Sequence, residues 1–285
     1  MSTPQTSAAR VAMSFEQFNL LRAIILDRAG IHFPDEKKFV LESRLAPRLR
    51  DLQIDDFDTY FSFLTTGPYQ ADEFQEMIDA ITVNETAFFR DPPQLDVFQN
   101  QVLPQLIEAR RTTKRLRLWS AACASGEEAY TLALIVHTAL GVRLADWRIE
   151  ILGTDISERA IRSARSASYT DYAVRSTSPI VKQRYFRTDG PAWVVHPDIQ
   201  SMVHFEVHNL KDRLGIKRHG VFDVIFCRNV LTYFGPQMKQ HVLRTLADQL
   251  HPGGFLFVAP SDAPLGPDLP FVIVPVAPAG CYRKS

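Results

Sequence analysis

The stretch Leu118–Tyr130, LWSAACASGEEAY, decides the fold of the larger part of this 285-residue chain. It begins as an apolar strand, passes through a loop of small residues and predicts a helix from Glu127 onward. In α/β proteins ligands lie at such junctions, because the first N–H groups of the helix face the crevice above the strand ends. The stretch therefore predicts both a strand of a parallel sheet and the position of a ligand site.

Two carboxylates in the first turn of this helix limit the kind of ligand. Glu127 and Glu128 would repel the phosphates of NAD or ATP from the helix N-terminus. Gly126 is the only glycine of the loop, so the GxGxxG pattern of a dinucleotide site is missing. Acidic residues instead favour a nucleoside that carries positive charge, and S-adenosylmethionine is the obvious candidate.

Strand-like and helix-like segments alternate after residue 114. Apolar runs predict strands at 115–120, 147–153, 221–227 and 254–259. Helical patterns follow at 127–140, from Ser157 and at 237–250, and the last is closed by the turn signal His251-Pro252-Gly253-Gly254. This alternation predicts an α/β fold with a mainly parallel sheet covered on both faces.

Two regions depart from the alternation. Segments 271–276 and 280–283 predict a closing antiparallel pair. Between 185 and 207, β-prone pieces at 192–195 and 202–207 flank turn signals, which predicts a small β insertion rising from the sheet.

The first 80 residues predict helices. Ser14 and Gln17 can form a capping box, and Gly30 predicts the end of the first helix. A second helix is predicted from Asp35, and Pro47 should kink or end it because proline lacks the N–H group. Shorter helices are predicted at 56–64 and 71–81. We therefore expect a disordered tail over 1–13, a helical domain over 14–80 and an α/β domain over 81–285 with its β insertion at about 185–207.

The composition excludes several classes of protein. Basic and acidic residues number 32 each, so no net field attracts nucleic acid or a membrane surface. No apolar run approaches the ~20 residues of a membrane span, and the N-terminal residues lack the apolar core of a signal peptide. Three cysteines without metal-ligand spacing are typical of reduced thiols, which favours a cytoplasmic protein.

Polar residues follow two of the predicted strands. Asp155 ends the second strand in LGTDIS, where an acid suits the hydroxyl groups of a ribose, although it could instead cap the next helix. Arg228 and Asn229 follow the apolar run FDVIFC, at the edge of the sheet where ligands bind. By spacing alone, the segment TVNETAFFR at 82–90 fits an amphipathic connector, and Asn209 fits ordinary turn chemistry.

Other kinds of site find no support in the sequence. It contains no GxSxG elbow, no GxxxxGK[ST] loop and no HExxH motif, and its eight histidines show no ligand spacing. We expect no metal site.

Five segments together resemble the CheR-type chemotaxis receptor methyltransferases: TVNETAFFR, LWSAACASGEEAY, GTDIS, FDVIFCRNVLTYF and HPGGFLF, in this order. The resemblance covers roughly residues 14–260. It implies a helical N-terminal domain followed by a class I, Rossmann-like methyltransferase domain with an inserted β subdomain. It further implies transfer of a methyl group from S-adenosylmethionine to side-chain glutamates of chemoreceptors, which leaves S-adenosylhomocysteine and a glutamate methyl ester.

The resemblance also assigns roles to residues of this chain. The cofactor contacts that it implies are Asn84, Thr86, Arg90, Glu128, Asp155, Asn209, Leu210, Arg228 and Asn229. Among these, Glu128 would hold the methionyl amine or its surroundings, and Asp155 would hold the ribose. Arg90 and Tyr233 occupy positions near the methyl group and its acceptor. The basic helix face that would approach the receptor carries Arg44, Arg48 and Arg50.

The chain departs from the family pattern in three places. Pro47 interrupts the basic helix, residues 259–262 read APSD where the family usually shows GHSE, and the β insertion is short around 189–191. In the family a loop of this subdomain docks a C-terminal tether peptide of the receptor by strand addition, so a short loop bears on tether binding and leaves catalysis untouched. The expected partner is the cytoplasmic helical domain of a chemoreceptor, with a monomeric enzyme that does not insert into the membrane. The alternatives are a methyltransferase of the same fold with another carboxylate or protein acceptor, and a non-catalytic module that binds S-adenosylmethionine.

Overall fold

The computed structural model describes residues 12–66, 69–274 and 278–285 of the chain. The chain divides into two compact units, Met1–Val83 and Asn84–Ser285. Most of the predicted tail, residues 1–11, lies outside the described residues. Its last residue is not part of a disordered tail: Met13 is buried, and its N–H donates to Glu42 Oε2 at 3.1 Å.

The first unit is helical over its described residues. Its helices are α1 (Phe15–Ala29), α2 (Lys38–Asp51), α3 (Phe57–Thr65) and α4 (Gln70–Ile81). The predicted capping box is present, since Ser14 Oγ accepts from the N–H of Gln17 and the Gln17 side chain accepts from the N–H of Ser14. Gly30, with φ of 76°, ends α1 as predicted.

Of the two effects predicted for Pro47, the end of the helix does not occur, because α2 continues to Asp51. Leu41, Leu45 and Leu49 lie four residues apart on one face and are fully buried. Each contributes roughly 1.5–3 kcal/mol on burial, which together exceeds the roughly 3 kcal/mol that a proline costs within a helix.

The second unit is built on a sheet with seven strands among the described residues, in the order β6-β2-β1-β7-β8-β10-β9. Strands β1, β2, β6, β7 and β8 are parallel, and β10 is antiparallel to both β8 and β9. The bounds are β1 (Arg115–Ala121), β2 (Arg148–Asp155), β6 (Val203–Val207), β7 (Phe222–Cys227), β8 (Leu250–Val258), β9 (Phe271–Ile273) and β10 (Cys281–Lys284). The strand order reverses between β1 and β7, where open α/β sheets bind their ligands.

Helices and apolar clusters cover both faces of this sheet. The helices of this unit are α5 (Pro92–Val97), α6 (Leu103–Ala109), α7 (Glu127–Leu140), α8 (Glu158–Ser166), α9 (Pro179–Tyr185), α10 (Pro197–Gln200), α11 (Arg213–Lys217) and α12 (Pro236–Asp248). Side chains of α7 pack with one cluster around Phe226 and Phe257, and side chains of α12 pack with another around Trp119 and Ile225. The predicted class I arrangement, a mainly parallel sheet between helices, is confirmed.

The β insertion lies partly where the sequence predicted it, since two of its three strands fall between residues 185 and 207. A small antiparallel sheet is formed by β3 (Ser168–Tyr169), β5 (Ala192–Val195) and β4 (Phe186–Asp189), in that order. Asp189 pairs with Ala192, so the turn between β4 and β5 is short. The second β-prone piece, 202–207, does not belong to this sheet. Its strand β6 pairs parallel with β2 at the edge of the main sheet, because the Phe205 ring packs over Gly153.

The signal His251-Pro252-Gly253-Gly254 is also not a turn. It lies within β8, next to a register shift opposite Phe222 and Val224, and Gly253 takes a φ of 77°. The glycine therefore permits a bulge in a continuous strand, whereas a sequence pattern alone favours a turn. The closing antiparallel pair of β9 and β10 is confirmed, although residues 275 and 276 of the predicted segment lie outside the described residues.

Candidate functional site

The loop between β1 and α7 bends through three residues in the left-handed region. Their φ values are 63° at Ala122, 47° at Ala124 and 93° at Gly126. A left-handed alanine costs roughly 1–2 kcal/mol, so other contacts must hold the loop. The N–H of Cys123 donates to Thr154 O at 2.8 Å, and the N–H of Ala124 donates to the carboxylate of Asp155 at 2.9 Å. The loop is therefore strained and bound to the end of β2.

Glycines allow this loop and β2 to approach strand β6. A Cβ atom at Gly153 would lie 2.6 Å from the Phe205 ring, and one at Gly126 would lie 2.9 Å from the same ring. Both distances are too short for a real side chain. The Phe205 ring thus fixes the height of the loop above the sheet.

Asp155 ends β2 and is almost fully buried. Its Oδ1 accepts from the N–H of Ser157 and its Oδ2 accepts from the N–H of Ala124, each at 2.9 Å. The alternative role of helix cap belongs to Ser157, whose Oγ accepts from the N–H of Ala160. Two backbone donors on different elements therefore hold the Asp155 carboxylate at the ligand edge of the sheet.

Glu128 and Arg228 form a buried ion pair across this edge. Arg228 Nε donates to Glu128 Oε2 at 2.7 Å, and the exposed fractions of the two side chains are 3% for Arg228 and 12% for Glu128. The other oxygen, Glu128 Oε1, accepts from the hydroxyl of Ser120 at 2.6 Å. The start of α7, strand β1 and the end of β7 are thereby joined.

The same arginine reaches a third segment of the chain. Arg228 Nη1 donates to the backbone oxygen of Arg90 at 3.1 Å and lies 3.6 Å from Asp91 Oδ2. Phe89 and Asp91 have φ values of 55° and 56°, so this segment also holds a strained conformation. Strained, over-determined backbone of this kind concentrates at functional sites.

Residues 84–90 are fixed in place, which a solvated connector would not be. The ring of Phe88 is fully buried and packs edge-on against Tyr169 and Phe186 of the small sheet, with centroids 4.9 and 5.1 Å apart. Arg90 is exposed, and its Nη1 donates to the backbone oxygen of Glu85 at 3.0 Å. The structure thus presents an exposed guanidinium from a rigid segment.

Other contacts link this segment to the ligand edge. Asn84 Nδ2 donates to Ser157 Oγ at 3.4 Å, beside the Asp155 carboxylate. Thr86 is half-buried on the same segment. The hydroxyl of Tyr172 donates to a carboxylate oxygen of Glu85 at 3.0 Å. The segment is therefore held from both the β2 end and the small sheet.

The remaining predicted residues of this unit follow β6 and β7. Asn209 and Leu210 come just after β6, where Asn209 Oδ1 accepts from the N–H of Lys211 and Leu210 is buried. Asn229 follows β7 with a φ of 59°, and Tyr233 is 40% exposed in the short 3-10 turn Leu231–Tyr233. Since parallel strands end at one edge, these residues share the edge that carries Asp155.

Glu127 differs from Glu128 in its surroundings. Its carboxylate accepts from the Ser125 hydroxyl at 2.8 Å within the loop, and it is 3% exposed. Burial raises the pKa of Glu127 above its ordinary value. Glu128 is thus paired with an arginine, whereas the neighbouring Glu127 is enclosed by the loop.

The three arginines predicted for receptor binding belong to α2 of the helical unit. Arg48 forms an ion pair with buried Glu73, which also accepts from the Tyr60 hydroxyl at 2.8 Å. Arg44 donates to the backbone oxygen of Ile81, whereas Arg50 is exposed. Two of the three guanidinium groups therefore already serve contacts inside this unit.

Two further residues of the site, Ser120 and Gln94, are not among those that the sequence predicts. Ser120 is a fully buried polar residue in an apolar strand, a signal that was visible in LWSAA. Gln94 is 1% exposed, and its Nε2 donates to the backbone oxygens of Val258 and Ala279 at 2.8 and 2.9 Å. Nothing in the local sequence around Gln94 indicated that role.

Metal and membrane sites find no support in the described part of the chain. No group of three or more His, Cys, Asp or Glu side chains there could hold a metal ion. None of the helices in that part is long and apolar enough to cross a membrane. The free thiols of Cys123, Cys227 and Cys281 are all buried.

Comparison with known proteins matches nearly the whole chain. The family model described as the CheR methyltransferase SAM binding domain matches residues 84–270, and the CheR methyltransferase all-alpha domain matches residues 16–82. Chemotaxis protein methyltransferase 1 of Pseudomonas aeruginosa is 35% identical over 273 residues, which is 94% of this chain and 97% of the relative. The chemotaxis protein methyltransferase of Salmonella typhimurium is 35% identical over 257 residues, which is 89% of this chain and 85% of the relative.

Proposed function

This chain belongs to the CheR methyltransferase family, and from that premise we propose that it methylates side-chain glutamates of chemoreceptors. Its cofactor is S-adenosylmethionine, and it acts as a methyltransferase in chemotaxis. One observation carries the proposal that glutamate is methylated: Arg228 donates hydrogen bonds both to Glu128 and to the backbone of the segment that presents Arg90.

The residues of the ligand edge fit the cofactor. S-adenosylmethionine supplies a methyl group activated by a positively charged sulfur. The Asp155 carboxylate suits the two ribose hydroxyls, which are donors, and its backbone contacts hold it at a fixed position. The carboxylate of Glu128 suits a cationic methionyl group at the start of α7. The further contacts that we propose are made by Asn84, Thr86, Arg90, Asn209, Leu210, Arg228 and Asn229.

The acceptor requires little activation from the protein. A glutamate side chain has an ordinary pKa of about 4.3 and is already ionised at neutral pH. No general base has to remove a proton, so the task of the site is to position the carboxylate and to exclude water. Charge is lost at both reacting centres, so a dry site favours the transition state.

Arg90 and Tyr233 have the properties needed for that positioning. The Arg90 guanidinium is exposed on a segment that Arg228 and Phe88 hold rigid, and its planar fork suits a carboxylate. The Tyr233 side chain is 40% exposed beside the end of β7, where its hydroxyl can donate to a carboxylate oxygen. We assign to both residues the orientation of the acceptor.

The acceptor that we propose is the cytoplasmic helical domain of a chemoreceptor, and we further propose that the enzyme acts in the cytoplasm as a monomer. Arg44, Arg48 and Arg50 on α2 supply a basic helix for that surface, and Arg50 is the most accessible of the three. We therefore expect Arg50→Ala to weaken receptor binding more than Arg44→Ala.

The direct test is transfer of a radiolabelled methyl group from S-adenosylmethionine to a receptor cytoplasmic fragment. Mass spectrometry should locate a base-labile ester on glutamate, and Arg90→Ala and Tyr233→Phe should each reduce the rate. Unchanged rates in both variants would overturn their assignment. Label on another protein or a small carboxylic acid would overturn the receptor as acceptor, and cofactor binding without any transfer would indicate a binding module.

A further inference from the structure

A basic cleft of about 460 Å³ lies at the edge of the main sheet opposite the ligand edge. Arg115 begins β1 there, and Val221 directly precedes β7. The six steps of β1 from Arg115 to Ala121 span about 20 Å. The cleft is therefore separate from the site that binds S-adenosylmethionine. The basic side chains that line it are Arg110, Arg115, Arg117, Arg218, His219 and His251.

One carboxylate at this edge is shared by three arginines. Glu150 accepts from Arg115 at 2.9 Å, from Arg117 at 2.7 Å and from Arg148 at 2.6 Å. Although burial opposes ionisation, hydrogen bonds from Arg115 and Arg117 lower the pKa of Glu150, which is fully ionised at neutral pH. A single negative charge thus faces three positive charges.

The other carboxylates near the cleft do not neutralise this excess of positive charge. Asp223 pairs with Arg110 at 2.6 Å, and Glu206 pairs with Arg218. In the described part of the chain, the four arginines that line the cleft therefore face three carboxylates.

The arginines keep donors that these ion pairs do not use. Arg115 contacts Glu150 only through Nη2. Arg117 uses Nε for Glu150 and Nη1 for the backbone oxygen of Val221. The planar forks of both residues therefore retain N–H groups for an anion in the cleft, and guanidinium forks match the oxygens of phosphate.

We infer that this cleft is a binding site for a phosphate-bearing small molecule of nucleotide size. The excess of positive charge favours an anion over a neutral or cationic ligand, and the paired donors of several arginines favour phosphate. The volume lies within the roughly 300–1,000 Å³ of pockets that enclose small molecules.

The test is calorimetric titration of the full chain with pyrophosphate and with ATP, at low and at physiological ionic strength. We expect one site, with an affinity that falls as salt rises. Equal affinity for both probes would mean that the phosphates alone are recognised, and tighter binding of ATP would mean that the nucleoside is recognised too. Either result supports the site.

Two variants provide a matched comparison. Arg115→Ala and Arg148→Ala each remove one partner of Glu150, but only Arg115 lines the cleft. Arg115→Ala should weaken pyrophosphate binding about tenfold or more, as expected for a lost charge-assisted hydrogen bond. Arg148→Ala, an exposed ion-pair partner, should change it less than about twofold.

Equal weakening by the two variants, or no binding by the unmodified protein at millimolar probe, would overturn the inference. If Arg115→Ala does not fold, Arg218→Ala takes its place, because Arg218 also lines the cleft but does not belong to β1. It should weaken pyrophosphate binding by the same factor. Binding is measured without a methyl acceptor, so the result does not depend on the proposed methyl transfer.

Discussion

Replacement of Arg228 by methionine should destabilise the larger unit and loosen the segment that carries Arg90. Methionine keeps most of the length of the side chain but removes the bonds to Glu128 Oε2 and to the backbone oxygen of Arg90. The Glu128 carboxylate would then be buried with Ser120 as its remaining hydrogen-bond partner in the described residues. Breaking a buried ion pair in this way costs about 3–5 kcal/mol.

Tryptophan fluorescence during urea unfolding measures this loss of stability in the unit that contains Arg228. Trp119, Trp147 and Trp193 all belong to Asn84–Ser285, so the signal reports on that unit alone. Calorimetry on the folded variant should also show S-adenosylmethionine binding at least about tenfold weaker, because a flexible segment must be ordered on binding.

The matched control is Arg213→Met, which breaks an exposed ion pair with Asp248 in the same unit. Their side chains are 49% and 45% exposed, so the expected cost is no more than about 1 kcal/mol. If Arg228→Met were no more destabilising than Arg213→Met, the argument that this buried pair holds the site together would be wrong.

Three further substitutions test other parts of the site. Gly153→Ala should destabilise the protein by about 1–3 kcal/mol because its Cβ meets the Phe205 ring, and combination with Phe205→Leu should recover part of the loss in urea unfolding. Asp155→Asn should weaken cofactor binding about tenfold or more in calorimetry, since the amide cannot accept from both backbone N–H groups through equivalent oxygens. Glu127→Gln should stabilise the protein at neutral pH. Because the pKa of Glu127 is raised in the folded state, the folded protein keeps the proton at pH values where the unfolded chain has already lost it. The free energy of unfolding therefore falls as the pH rises from the pKa in the unfolded state through the pKa in the folded state. Urea unfolding at several pH values should show the variant's advantage disappear in acid.

Local patterns predicted the helices and the parallel strands well. The helix at 127–140 has the predicted bounds, because a glycine precedes it and its apolar pattern is uninterrupted. The sequence could not show that residues 202–207 pair with β2, since a short β-prone piece fits an edge strand and an insertion equally well. That choice depends on the Phe205 ring filling the space above Gly153, a contact between residues 52 positions apart.

The contacts within the site could likewise not be predicted from local sequence patterns. The sequence patterns indicate Glu128 and Arg228 separately, but they do not indicate the ion pair that joins these two residues across 100 positions. The left-handed conformations of the alanines at 122 and 124 are equally hidden in the sequence, because alanine, unlike glycine or asparagine, does not favour that region. These features depend on long-range contacts that stabilise an unfavourable local conformation.

The buried cysteines have a practical consequence for spectroscopy. Burial raises the pKa of Cys281 to about 12 and raises those of Cys123 and Cys227 as well, so that almost no reactive thiolate exists at neutral pH. A cysteine introduced at Val142, which is 98% exposed beyond the far end of α7, would be the preferred target of a maleimide dye. A single fluorophore can therefore be attached without first removing the native cysteines.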